Sequence, residues 1–143
     1  MNKYILTLVL FLISMNFLLS QTVEGKWYTM NSDTNEKESI IEVYKENNKI
    51  YAKILTILNE EDKHKLCDLC TGKDKDKPIE GMVILKGLQK DGEEWSDGKI
   101  LDPQNGKYYK CYISLINKNK LKIRGYIGFS LIGRTEYWQR LTN

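Results

Sequence analysis

From residue 21 onward, apolar and polar side chains alternate in short runs that turn residues separate. In residues 107–116, for example, Tyr109, Cys111 and Ile113 alternate with more polar neighbours. A period of two residues puts successive side chains on opposite faces of a β-strand. Strands are therefore predicted over residues 21–30, 39–45, 49–58, 81–88, 94–101, 107–116, 120–129 and 135–141. The apolar face of the third strand is expected to run from Ile50 to Leu58.

Tight turns join most of these predicted strands. Asn47-Asn48 is typical of a two-residue hairpin, because asparagine tolerates the positive φ angles that such turns need. Turn residues also occupy Asp91-Gly92, 102–106 and 117–119. The exception is a highly charged loop at residues 59–80, whose tip from Lys73 to Lys77 alternates in charge sign and is predicted to be solvated and mobile. Hairpin connections predict that consecutive strands pair antiparallel.

An antiparallel sheet of eight strands exposes two unpaired edges unless it closes on itself. Eight strands also close readily, leaving an interior for side chains or one small ligand. The sequence therefore predicts an all-β protein in which residues 21–143 form one antiparallel eight-stranded up-and-down barrel. An open β-sandwich is the alternative all-β architecture.

The first twenty residues have a different pattern. Lys3 precedes a nearly continuous apolar run that ends at Leu19, and the small residue Ser20 follows it. This order is typical of a secretory signal peptide over residues 1–20, and it predicts export to the periplasm, cell surface or medium. A transmembrane anchor is the alternative, since the run is about long enough for a tilted span. No cysteine lies at the predicted cleavage site to accept a lipid.

The charge distribution and the length of the apolar runs argue against nucleic-acid binding and against a membrane-spanning segment after Leu19. The formal net charge is +3 and the charges are interspersed, so no basic stripe predicts nucleic-acid binding. After Leu19, no apolar run is long enough to span a bilayer, and we do not expect an integral membrane protein. The oligomeric state is not predicted.

The arginines occur only near the C-terminus, although lysine is used along the whole chain. They are Arg124, Arg134 and Arg140. In a closed meander the last strand pairs antiparallel with the first. Of the two arginines near the last strand, Arg140 is therefore expected to lie nearer to Trp27, and Arg134 farther away. A guanidinium over an indole face contributes about 0.5–2 kcal/mol. We therefore predict a structural clasp between Trp27 and Arg140, with a solvated strand-end charge as the alternative.

The Gly25-x-Trp27 start with a C-terminal arginine resembles the calycin superfamily, which includes lipocalins and fatty-acid-binding proteins. A longer succession is similar to a bacterial family catalogued as domain of unknown function 2147. Its residues are Gly25, Trp27, Cys67, Cys70, Pro78, Gly81, Trp95, Gly98, Ile100, Asp102, Pro103, Gly106 and Tyr109, then Leu121, 123–128, 133–135, Trp138 and Arg140. The resemblance implies an exported, lipocalin-like barrel. It implies no activity and supplies no catalytic residues.

Cys67 and Cys70 lie in the charged loop at 59–80, and three interpretations fit them. In an exported chain they can form a loop disulfide or stay as two idle thiols. With His64 they offer three of the four ligands that zinc usually takes. A redox dithiol is the third interpretation, although no following helix is predicted to lower a thiol pKa. The family resemblance favours a structural pair, and Cys111 is predicted to be a buried small apolar residue.

Other chemistry has little support in the sequence. His64 is the only histidine and is predicted to be an exposed loop residue, so no catalytic triad is expected. No glycine-rich phosphate loop opens a helix. We therefore predict no cofactor and do not expect an enzyme.

Aromatic residues concentrate in the second half of the chain. Their rings and polar tips suit a ligand pocket, with Tyr109, Tyr126 and Trp138 as the residues that could face a ligand. Half-exposed strand faces are the more ordinary location. The sequence predicts an exported binding protein for a small hydrophobic ligand or an envelope component. The alternatives are a redox or metal-dependent protein that uses Cys67 and Cys70, and a structural protein–protein interaction module of the cell envelope.

Overall fold

A computed structural model describes residues 21–142, and the predicted signal peptide at residues 1–20 lies outside this range. The strands are β1 (Gly25–Met30), β2 (Lys37–Glu46), β3 (Lys49–Ile57), β4 (Val83–Asp91), β5 (Glu94–Asp102), β6 (Lys107–Asn117), β7 (Lys120–Tyr126) and β8 (Gly133–Arg140). Each strand pairs antiparallel with the next, and β8 pairs with β1 to close the barrel. The predicted closed eight-stranded barrel is confirmed, and the open sandwich is wrong.

The period-two pattern places one face of each strand in the core. In β2, Ser39, Ile41 and Val43 are buried and their immediate neighbours are only partly covered. Asn47 and Asn48 turn β2 into β3 with φ angles of 49° and 60°. The predicted hairpin therefore forms in the left-handed region that asparagine tolerates.

Several predicted strand limits were wrong. The first strand was predicted to begin at residue 21, but β1 begins at Gly25. The seventh was predicted to reach Phe129, but β7 ends at Tyr126 because the chain turns back on itself, with the Ile127 amide donating to the Ile132 carbonyl. Leu58 was predicted to continue the inward face of the third strand. It follows the end of β3, and 39% of its surface is exposed.

The two ends of the barrel have different connections. At one end, the turns at 47–48, 92–93 and 118–119 contain two residues each. We call this the closed end. At the other, the loops span residues 31–36, 58–82, 103–106 and 127–132. We call this the open end.

The longest open-end loop has structure of its own. Leu66 and Pro78 form an isolated bridge, and residues Gly72–Asp74 form a short 3-10 helix. Glu80 fastens the end of the loop to β3, since its carboxylate accepts hydrogen bonds from the Ile57 amide and the Thr56 hydroxyl. Nowhere in residues 21–142 does a helix reach the length and apolar character that crossing a bilayer requires.

Candidate ligand-binding cavity

A cavity of about 770 Å³ opens between the four long loops. Its inner wall is mainly branched aliphatic, with Ile41, Ile54, Ile84 and Ile123 among the buried residues that line it. Its size falls within the roughly 300–1,000 Å³ range of small-molecule sites. The barrel interior is therefore packed at one end and hollow at the other.

Small inward-facing residues leave this space. Thr29 and Ser39 face each other across β1 and β2 and share a hydroxyl–hydroxyl hydrogen bond of 2.7 Å. Gly125 has no side chain to fill its part of β7, and an added Cβ would make only ordinary contacts, the closest being 3.6 Å from Ile100 Cγ2. Larger residues at these positions would occupy the cavity.

Charged side chains surround the mouth. Arg134 Nη2 donates to Glu136 Oε1 at 2.6 Å and lies 4.0 Å from Asp102 Oδ2. Lys65 and Asp62 form a second pair, with 2.5 Å between Nζ and Oδ1. The side chain of Arg134 is 70% exposed and that of Glu136 is 38% exposed. Exposed pairs of this kind are weak, so the polar end of a ligand can replace either partner.

All three residues predicted to face a ligand border the cavity. The Tyr109 hydroxyl accepts a hydrogen bond of 2.9 Å from Asn105 Nδ2 in the 103–106 turn. Trp138 is buried, and its indole Nε1 has no hydrogen-bond partner among the described residues. Tyr126 borders the mouth, but its ring packs against outward-facing Tyr112 with 6.3 Å between centroids. Tyr126 is therefore shared between the cavity mouth and the outer surface of the barrel.

Trp27 and Arg140 meet at the closed end, far from this mouth along the strands. They are paired in register across β1 and β8, and the guanidinium carbon lies 4.1 Å from the indole centroid. Arg140 also donates to the carbonyls of Thr22, Glu24 and Lys118, and burial lowers its pKa. A Cβ at Gly25 would lie 2.7 Å from Arg140 Nη1, so the glycine makes room for the guanidinium.

Cys67 and Cys70 form a disulfide in the long loop, and both are buried. The loop packs on the 103–106 turn so closely that a Cβ at Gly106 would lie 2.0 Å from the Leu69 carbonyl oxygen. Disulfide sulfurs carry no thiolate for a metal. Within residues 21–142, no group of three or more His, Cys, Asp or Glu side chains could hold a metal ion. The disulfide therefore constrains the part of the long loop that packs on the 103–106 turn.

The third cysteine, Cys111, is fully buried in the barrel wall. Burial raises the pKa of its thiol to about 12, and the nearby Glu136 carboxylate adds to the increase. A thiol in this state carries no nucleophilic thiolate at neutral pH.

One polar cluster was not predicted from the sequence. Tyr108 Oη donates to Asp74 Oδ2 at 2.6 Å, and Lys86 Nζ donates to Tyr108 Oη at 2.6 Å. The hydrogen bond from Tyr108 lowers the pKa of the Asp74 carboxyl. Burial, together with this hydrogen bond to Asp74, raises the pKa of Tyr108 to about 12. The cluster fastens the 3-10 helix to β4 and β6. The tip predicted to be mobile is therefore anchored, which no local charge pattern could indicate.

Comparison with known proteins agrees with this geometry. The structure resembles protein HP1028 from the human pathogen Helicobacter pylori, which belongs to the lipocalin family, with a TM-score of 0.75 and 22% sequence identity. The match covers 87% of this chain and 86% of that chain, and at such identity it establishes a lipocalin-like fold alone. Curated proteins give no match. The family model described as "Uncharacterized protein conserved in bacteria (DUF2147)" matches residues 25–140, and the chain therefore belongs to this family.

Proposed function

We propose that the protein binds one small, largely apolar molecule in the barrel cavity. The observation that carries the proposal is the open volume of about 770 Å³ above an isoleucine-lined wall. Burying apolar surface there would contribute roughly 25 cal/mol for each Å² removed from water. A barrel built only for stability gains nothing from such a space, since unfilled interior volume costs packing contacts.

The lining indicates the orientation of the ligand. Its apolar body would lie against the buried isoleucines of the inner wall. Its polar end would remain at the mouth, within reach of Arg134, Glu136 and the Asn105–Tyr109 hydrogen bond. One apolar wall with a few polar groups at one side is the usual composition of small-molecule sites.

We further propose that this binding takes place outside the cytoplasm. The pattern of residues 1–20 supports export, and so does the Cys67–Cys70 disulfide, because disulfides persist in oxidising compartments. Mass spectrometry of protein recovered from culture should find an N-terminus near Gln21. Recovery of the intact Met1 form in the cytoplasm alone would rule out export.

Titration with the neutral fluorescent probe N-phenylnaphthylamine tests the cavity. The assay uses chain beginning at residue 21, which contains all eight strands and the barrel core. Gly125→Leu should weaken probe binding about tenfold or more, because the new side chain fills the cavity with little strain. Circular dichroism should show an unchanged barrel.

Ser114→Leu is the matched control. Ser114 lies on β6 opposite Lys122 of β7, between two inward positions, so its side chain faces outward. This variant adds the same apolar group outside the cavity and should keep the wild-type probe affinity. Equal probe binding by Gly125→Leu and wild type would contradict the cavity site.

A further inference from the structure

The loop between β7 and β8 exposes large apolar side chains beside the cavity mouth. Ile127, Phe129, Leu131 and Ile132 are 64%, 59%, 84% and 58% exposed, and we call these four residues the apolar lip. Single exposed apolar residues are ordinary on protein surfaces, but a contiguous group indicates an interaction site. Ile127 and Ile132 also line the cavity, so the lip continues its apolar wall to the outside.

The lip is held in place by hydrogen bonds. The Ile127 amide donates to the Ile132 carbonyl at 3.0 Å, and Arg124 Nη2 donates to the Ser130 carbonyl at 2.7 Å. Lys110 Nζ reaches the Gly128 carbonyl at 3.4 Å. The apolar side chains are therefore presented outward by a loop that these hydrogen bonds hold in place, which lowers the entropy cost of docking.

The same contacts place positive charge at the base of the lip. Arg124 and Lys110 both lie against its backbone, and neither forms an ion pair within residues 21–142. Arg134 lies two residues beyond the lip in the chain, and its side chain pairs with Glu136 but remains 70% exposed. Exposed apolar side chains beside the unpaired cations Lys110 and Arg124 match the interface of a bilayer with anionic headgroups.

We propose that the apolar lip docks the open end of the barrel on an anionic phospholipid surface. Phe129 and Leu131 enter the boundary between headgroups and acyl chains, and Lys110, Arg124 and Arg134 remain among the headgroup phosphates. The cavity mouth then faces the bilayer. A second copy of the chain would instead bring two sets of these cations together, which is repulsive.

Vesicle flotation tests the proposal with the chain beginning at residue 21, which excludes any contribution of the apolar N-terminal segment. Wild type should float with phosphatidylcholine vesicles that contain phosphatidylglycerol, and less with phosphatidylcholine alone. Phe129→Ser/Leu131→Ser should weaken partitioning about tenfold or more, because two large apolar side chains are lost. Lys110→Gln should weaken it about fivefold on anionic vesicles and leave it unchanged on neutral ones.

Ile116→Ser is the matched control, since Ile116 is 53% exposed near the closed end and should float as wild type does. Gly125→Leu should also float, which separates lipid docking from probe binding in the cavity. Failure of wild type to float with anionic vesicles would overturn the proposal. So would unchanged flotation of the double variant, or a dimer seen by analytical ultracentrifugation that the double variant abolishes.

Discussion

The two ends of the barrel are built from the same eight strands but have different interiors. At the closed end, two-residue turns bring the strands together, and Trp27 and Leu121 are fully buried. At the open end, four loops surround a cavity whose wall includes Thr29, Ser39 and Gly125. Large inward residues fill one end, whereas small ones leave the other hollow.

This difference separates stability from recognition. Closed-end contacts join the first and last strands, so they hold the barrel shut. Open-end loops do not join the first strand to the last, so the side chains at the mouth can change without loss of closure. The expected effects of substitution should therefore be global at the closed end and local at the open end.

The largest effect is expected for Arg140→Ala at the closed end. The variant loses the cation–π contact with Trp27 and hydrogen bonds to three backbone carbonyls. Urea unfolding at neutral pH should show a loss of about 2–3 kcal/mol in the free energy of unfolding. Arg140→Lys should recover only part of this loss, because ammonium lacks the planar fork.

Arg134→Ala at the open end provides the comparison for this measurement. Its ion pair with Glu136 is largely exposed, so its unfolding free energy should stay within about 0.5 kcal/mol of wild type. Equal destabilisation by the two alanine variants would contradict the division between the ends.

A smaller effect is expected for Cys67→Ala/Cys70→Ala. The short disulfide loop restricts the unfolded chain little, so the loss should be about 1–2 kcal/mol. Hydrogen exchange should accelerate at the Cys67 amide, which donates to the Lys77 carbonyl. The Arg140 amide at the closed end should keep its relative protection, and accelerated exchange at both amides would show that the disulfide supports the whole barrel.

The smallest effect is expected for Tyr108→Phe, which removes the hydrogen bond to Asp74 and should cost less than about 1 kcal/mol at neutral pH. This hydrogen bond lowers the pKa of Asp74 below the ordinary value of 3.8. The bond therefore stabilises the folded protein fully above pH 3.8, and this stabilisation is lost as the pH falls through the folded-state pKa of Asp74. Wild type and variant should therefore converge in stability in acid.

At alkaline pH, the ionisation of Tyr108 itself determines whether the free energy of unfolding rises or falls with pH. Its pKa of about 12 in the folded protein exceeds the ordinary 10.0, so ionisation of the unfolded chain destabilises the wild type between these values. Tyr108→Phe should lack this alkaline decline. Urea unfolding across both pH ranges measures the difference, and parallel profiles for the two proteins would contradict a coupled Asp74–Tyr108 pair.

Local pattern alone determined the strands, their turns and the closed topology. Alternating side chains such as Cys111 and Ile113 specify a face, and Asn47-Asn48 specifies a hairpin. The pairing of the last strand with the first was then enough to predict that Arg140 lies beside Trp27. These features follow from neighbours in sequence or from the order of strands, so one chain was sufficient to predict them.

Only the tertiary structure decided the cavity, the anchored loop and the lip. The cavity volume is the space that the eight strands enclose minus the volume of the side chains that point inward. The sequence of any single strand therefore cannot predict this volume. Asp74 and Tyr108 are 34 residues apart, and only the folded loop brings them together. The exposure of Phe129, predicted within a strand, depends on where β7 ends, and contacts from Arg124 and Lys110 fix that turn.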